Sequence, residues 1–265
     1  MIDDVQPCKT PLVWYGGKKM LAGKLLPLLP QHTCYVEVFG GSGAVLFRKQ
    51  PAKLEIYNDL NADVVNFFRV LREQPDKLIE ALELTPYSRA EYNTCTTNYQ
   101  AEADPIERAR RFYVGIYQSF NSKFANGWRG STNRDFAGSW RNAIDMMPEA
   151  IARLRPVVIE CLHYRDLLPK YDKPGVCWYL DPPYVTSTRV SKDRYDHEMT
   201  DDDHVELLTL ANSLQGKVII SGYESELYNK MLDDWRRVDI ESVSHATINP
   251  KGKRAKRIES VWLNY

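Results

Sequence analysis

Several residue types that usually mark a site are scarce in this sequence. Cysteine occurs five times, at 8, 34, 95, 161 and 177. The count is odd and no C-x-x-C pair exists, which argues against a disulfide framework and against a thiolate zinc site. The histidines, His32, His163, His197, His204 and His245, share no ligand spacing, so no metal is expected. No apolar run approaches the roughly 20 residues that span a bilayer, so no membrane partner is expected. Met1-Ile2-Asp3-Asp4 carries acids where a signal peptide needs cations, and a cytoplasmic location is expected. An excess of either charge is missing too, with 35 basic against 35 acidic side chains. A nucleic-acid site must therefore be a local concentration of charge. What remains, 43% hydrophobic and 26% charged residues over 265 positions, is the balance of a soluble globular protein with room for a core and a smaller insert.

Tyr35 to Phe39 reads as a buried strand, ended by Gly40-Gly41-Ser42-Gly43 before a short apolar helix from Ala44. Leu54 to Tyr57 reads as a second strand. A helix follows on Val64, Val65, Phe68 and Leu71, with Asn61 as its N-cap. The alternation resumes late, with strands at Val157 to Ile159, Val176 to Leu180 and Lys217 to Ile220. Between the last two, Thr200 caps a helix whose buried face is expected at Val205, Leu208, Ala211 and Leu214, and Asp201, Asp202 and Asp203 complement its dipole. Trp235 to Ile240 and Ile258 to Leu263 suit an antiparallel hairpin at the sheet edge. Strand-helix alternation implies a parallel α/β sheet with right-handed crossovers. Residues 73–156 lack it, reading as helices followed by a stretch rich in Gly, Asn, Ser and Trp. The expected division is a core of 1–72 and 157–265 with an inserted domain at 73–156.

Three motifs carry chemistry. Asp181-Pro182-Pro183-Tyr184 follows an apolar strand directly, which places it at the mouth of an open sheet. A carboxylate, a proline-fixed carbonyl and a stacking ring fit an exocyclic amino group on a planar base, where two acceptors favour a pyramidal, more nucleophilic nitrogen. A plain Pro-Pro turn ending a strand is the alternative. Glu37-Val38-Phe39-Gly40-Gly41-Ser42-Gly43 turns through glycines that permit close approach of a ligand, although Leu46 breaks the dinucleotide spacing G-x-G-x-x-G. Asp59, nineteen residues after Gly40, either holds ribose hydroxyls or closes a turn. Trp14-Tyr15-Gly16-Gly17-Lys18 departs from a Walker loop at Leu12 and Lys19; its glycines either aim Lys18 at an anion or leave it solvated.

Taken in order, Trp14 to Lys18, Glu37 to Gly43, Tyr57-Asn58-Asp59, the insert, Asp181 to Tyr184, Lys217 to Ser221 and Glu259 to Leu263 resemble the class D12, Dam-like DNA adenine-N6 methyltransferases of the alpha group. The resemblance implies a Rossmann-like S-adenosylmethionine-dependent fold with an inserted, mostly helical target-recognition domain. It implies cofactor contacts at Trp14, Tyr15, Gly17, Lys18, Glu37, Phe39, Gly41, Gly43, Asp59 and Asp181, and a catalytic motif at Asp181, Pro182, Pro183 and Tyr184. The insert lacks a clear copy of the Dam recognition hairpin, so no GATC target follows.

From Arg108 to Arg141 seven basic residues face one acid, Asp135, a local net of plus six. Arg108, Arg111, Lys123, Arg129, Arg134 and Arg141 are the expected contacts to double-stranded DNA, with Arg129 and Arg134 the candidates for reading bases. Phe112 and Ile116, at helical spacing, are assigned to the core. Lys251, Lys253, Arg254, Lys256 and Arg257 form a second basic run in the tail hairpin. The expected reaction is in-line methyl transfer to N6 of a flipped adenine, extrusion being required because the amino group is paired inside the stack. Rival acceptors are cytosine N4 and RNA; Asp181, where N4 enzymes commonly have Ser, counts against them. A degenerate DNA-binding module is a further rival.

Overall fold

A computed structural model describes residues 5–14, 18, 21–185, 198–248 and 254–265, with backbone alone at 100 and over 242–248 and 254–257. In chain order its elements are α1 (Ala22–Leu25), β1 (Cys34–Glu37), α2 (Ala44–Arg48), β2 (Leu54–Asn58) and α3 (Ala62–Glu73). There follow α4 (Pro75–Glu83), α5 (Arg89–Thr96), α6 (Pro105–Tyr117), α7 (Phe136–Asp145), α8 (Met147–Leu154), β3 (Val157–Glu160) and α9 (Tyr164–Tyr171). The last are β4 (Val176–Leu180), α10 (Asp201–Ser213), β5 (Lys217–Gly222), α11 (Glu226–Met231), β6 (Arg236–Ile248) and β7 (Arg254–Leu263). The sheet has the order β3-β2-β1-β4-β5-β7-β6. β1 pairs in parallel with β2 and β4, and β4 with β5, while β7 runs antiparallel between β5 and β6. This is a doubly wound α/β sheet closed by an antiparallel hairpin, the Rossmann-like arrangement.

The chain divides into two compact units, one of 1–19, 41–51 and 61–161 and one of 20–40, 52–60 and 162–265. Segment 73–156 lies inside the first, which also takes in α3 and β3. In the second unit the strand period of two separates the side chains cleanly. One face presents Val36, Val38, Ile56, Trp178, Leu180, Val218 and Ile220 to Leu167 and Leu168 of α9, Leu207, Leu208 and Ala211 of α10 and Tyr228 of α11. Each such side chain contributes about 1.5 to 3 kcal/mol by leaving water. The alternate positions are Tyr35, Glu37, Tyr57, Tyr179 and Ser221, also buried but bearing hydroxyls and a carboxylate.

Thr200 caps α10 in a full capping box with Asp203. The buried stripe of that helix is His204, Leu207, Leu208 and Ala211; Val205, expected inside, is exposed. The 204-207-208-211 spacing follows the 3.6 period, and the buried His204 Nδ1 meets the Tyr228 hydroxyl at 3.0 Å.

In the first unit the Asn61 side chain accepts from Asp63 N and Val64 N, the expected cap of α3. Phe67 of α3 stacks on Tyr113 of α6 at 5.1 Å, and Trp140 of α7 lies against Tyr113 and Tyr117. Phe112 and Ile116 are core residues, as their spacing implied. The stretch expected to be irregular is ordered in two places. Helix α7 starts at Phe136 with Asp135 as its cap, and Ser119 and Trp128 form an antiparallel bridge flanked by Phe120 N to Gly127 O and Arg129 N to Gln118 O. That single-rung hairpin had no alternation for the sequence to reveal.

Candidate active site

β1 and β4 are adjacent and parallel, yet β1 leads on to β2 on one side and β4 to β5 on the other. Their carboxyl ends therefore flank the topological switch point, where open sheets bind ligands. Val38 N donates to Tyr179 O at 3.0 Å across this junction. At the end of β1, buried Glu37 accepts from the Tyr35 hydroxyl at 2.9 Å. A Cβ on Gly40 would stand 2.2 Å from the Tyr57 ring and 2.8 Å from the Asn58 carbonyl, so only glycine lets the end of β1 close on that of β2. Asn58, 2% exposed, donates to the carbonyls of Val38 and Leu162 and accepts from Leu162 N. That stitch delivers Asp59, half-buried, at the end of β2, and half-buried Phe39 packs near Tyr164.

At the end of β4, Asp181 Oδ1 accepts from Ser221 Oγ at 2.9 Å. With its proton committed there, Ser221 accepts from the Tyr179 hydroxyl at 3.2 Å. Three residues on, the Tyr184 hydroxyl donates to the Glu259 carboxylate on β7, and the Tyr184 ring lies 4.5 Å from that of Tyr223. Burial first, and then the carboxylates of Asp181 and Glu259, push the Tyr184 hydroxyl well above the phenol range. It stays a donor at any working pH. Ser221, Glu259 and Asn58 carry this geometry; the sequence placed them within the stretches Lys217 to Ser221, Glu259 to Leu263 and Tyr57 to Asp59 but gave none of them a role of its own.

Of the expected cofactor residues, Trp14, Lys18, Gly41 and Gly43 belong to the first unit. Gly41 and Gly43 both have positive φ, and a Cβ on Gly41 would stand 3.0 Å from the Trp14 ring. The Thr10 hydroxyl donates to the Ser42 carbonyl, pinning the same turn. Lys18 is buried, against the solvated alternative. Tyr15 and Gly17 lie outside the described residues, as do Lys251 and Lys253.

The basic segment is less free than its composition suggests. Arg108 Nε donates to buried Asp63 at 2.6 Å, Arg110 bonds Glu91 and Glu107, and Arg111 bonds Glu107 at 2.7 Å and Glu102 at 3.2 Å. These acids lie outside the window that gave plus six. Arg129 donates to the Tyr117 carbonyl at 2.8 Å and stacks over Phe136 at 4.5 Å, so it builds the loop that carries it. Arg134 and Arg141 are exposed and Lys123 is half-buried. Among the described residues no helix is long and apolar enough to cross a membrane, and no group of three or more His, Cys, Asp or Glu could hold a metal ion.

Residues 14–247 match the model of the D12 class N6 adenine-specific DNA methyltransferases. The chain belongs to that family. It is accordingly an adenine-specific DNA methyltransferase, and cytosine or RNA acceptors are not favoured. A Type II methyltransferase, M1.LlaDCHI of Lactococcus lactis subsp. cremoris, is 25% identical over 95% of this chain and 94% of its own. The DNA adenine methylase of Escherichia coli K12 is 24% identical over 96% and 94%. Among solved structures, an rRNA methylase from Streptococcus thermophilus matches with a TM-score of 0.35 and 10% identity over 92% of this chain and 93% of its own, which adds nothing to the topology already given.

Proposed function

We propose that the enzyme methylates N6 of an adenine extruded from double-stranded DNA, at Asp181 to Tyr184, with S-adenosylmethionine as methyl donor. One observation carries this reading: Asp181 and Tyr184, two prolines apart at the carboxyl end of β4, are each tied by a hydrogen bond to another strand of the sheet. The Asp181 carboxylate accepts an N–H of the adenine amino group, and the carbonyl of Pro182 accepts the other. Drawing both hydrogens out of the ring plane frees the nitrogen lone pair, the carboxylate stabilises the positive charge that develops on that nitrogen, and one of the two N–H protons then leaves along its hydrogen bond. The Tyr184 ring supplies the stacking face that holds the base out of the helix.

The donor set suits the cofactor. Asp59 offers a half-buried carboxylate to ribose hydroxyls, Phe39 a half-buried ring, and Gly40 a close-approaching backbone. Bound there, S-adenosylmethionine supplies an electrophilic methyl carbon on a positively charged sulfur. Trp14, Tyr15, Gly17, Lys18, Glu37, Gly41, Gly43 and Asp181 are assigned to the same group from the family resemblance. We assign DNA contact to Lys123, Arg134 and Arg141, and a supporting role to Arg108, Arg111 and Arg129.

The test is single-turnover methyl transfer at saturating cofactor. Asp181→Ala should lower the rate by about 100-fold or more, as loss of a transition-state charge partner does elsewhere, while cofactor still binds. A loss of only a few-fold contradicts the role. Sequencing host-cell DNA after expression should show N6-methyladenine as the product.

A further inference from the structure

The acceptor tetrapeptide is restrained at every residue. Its middle positions are prolines, with φ set by their rings. Its ends, Asp181 and Tyr184, are hydrogen-bonded to Ser221 of β5 and to Glu259 of β7. The sheet register explains how strands so distant in sequence reach one loop. Ser221 pairs with Val261 and Gly222 with Ser260, so Glu259 lies just past the last β5 pair. By the period of two it shares a face with Val261 and therefore with Ser221. Because β7 runs antiparallel, this point of its course coincides with the carboxyl end of β5, beside that of β4.

Packing alone does not account for the choice of groups. Glu259 is 7% exposed, and burying a carboxylate costs more than the apolar pair that would fill the same space. Charge strengthens the bond to the Tyr184 hydroxyl, and a stronger bond fixes a ring more tightly. Tyr179, standing behind Ser221, extends the chain of hydroxyls. We infer that Glu259 and Ser221 are positioning residues for methyl transfer: Glu259 orients the Tyr184 ring through its hydroxyl, and Ser221 orients the Asp181 carboxylate through Oδ1. This rests on the acceptor role proposed above for Asp181 and Tyr184. The benefit is preorganisation, since neither group need be ordered when the base arrives.

A double-mutant cycle on the full chain tests it. Tyr184→Phe and Glu259→Leu break the same bond while leaving the ring in place. Each should lower the single-turnover rate by about 10- to 100-fold, the range for a hydrogen bond to a charged group, with cofactor Kd by calorimetry within about twofold. The fluorescence rise of 2-aminopurine at the target should shrink in parallel. The double variant should fall no further than the worse single variant, within about twofold. Glu259→Gln, which keeps an oxygen acceptor, should recover most of the rate, and Ser221→Ala should slow transfer without weakening cofactor. If Glu259→Leu does not fold, Tyr184→Phe against Glu259→Gln carries the test. Additive losses, or Tyr184→Phe at the parental rate and parental fluorescence, overturn the tether. Asp181→Ala at the parental rate would instead overturn the acceptor reading beneath it, so the two failures are distinct.

Discussion

Asn58 and Asp59 are neighbours in sequence and opposites in environment. Asn58 spends its amide on three backbone groups, one just past the end of β1 and two after β3. Asn58→Ala strands those groups and should cost at least about 1 to 3 kcal/mol, read from the urea midpoint. Asp59→Ala should leave that midpoint nearly unchanged and weaken cofactor binding by about 1.5 to 3 kcal/mol in calorimetry. Unchanged affinity would remove Asp59 from the site. At this scale legibility follows sequence distance. Asp181 to Tyr184 could be read because the acceptor groups proposed there stand on four adjacent residues after a clear strand. Ser221 and Glu259 could not, since their partners lie 40 and 75 residues away and only pairing of β5 with β7 brings them together.

Among the elements, α5 and α6 share an acid-sensitive network. The carboxyls of Glu91 and Glu107 are held below the ordinary glutamate range, first by hydrogen bonds from Arg110 and, for Glu107, also from Arg111. A folded-state pKa below the unfolded value, about 4.3, stabilises the fold above that pH, and the contribution is lost as pH falls through the folded value. Glu107→Gln should therefore lower the melting temperature at pH 7 and flatten the acid limb below about pH 5, with a difference from the parent that shrinks as the pH falls through the folded-state value. Equal shifts at pH 7 and pH 3 would refute the assignment. Helix boundaries were legible here because caps are local: Asn61 and Thr200 stand one residue before α3 and α10. The buried face of α10 was harder to read, because Val205 and Leu214 offered an apolar stripe and His204 hid in the interior through its bond to Tyr228.

For the whole molecule, zero net charge makes placement decide DNA affinity. The salt dependence of binding counts phosphates neutralised, at about 0.9 per contact on duplex DNA. Arg108, already paired with Asp63, should contribute little, so Arg108→Ala should lower thermal stability and leave the slope alone. Exposed Arg134 should behave in reverse, with Arg134→Ala lowering the slope by about 1 at unchanged stability. A steeper loss at Arg108 than at Arg134 would invert the proposed surface. Composition showed where basic residues cluster. It could not show which were neutralised, because Asp63 and Glu91 lie on other elements and Glu102 in the loop before α6.

The two units also constrain how segments can be exchanged between related enzymes. The chain passes from one unit to the other at 19/20, 40/41, 51/52, 60/61 and 161/162. A recombination event that replaced 61–161 alone would keep the parental 41–51, where Phe47 packs on Phe68 and the Leu46 carbonyl receives buried Arg153. Chimeras cut at the obvious borders should therefore be recovered mostly as insoluble protein. Those in which 41–51 travels with the graft keep both contacts intact, so in this architecture 41–51 and 61–161 should be inherited together.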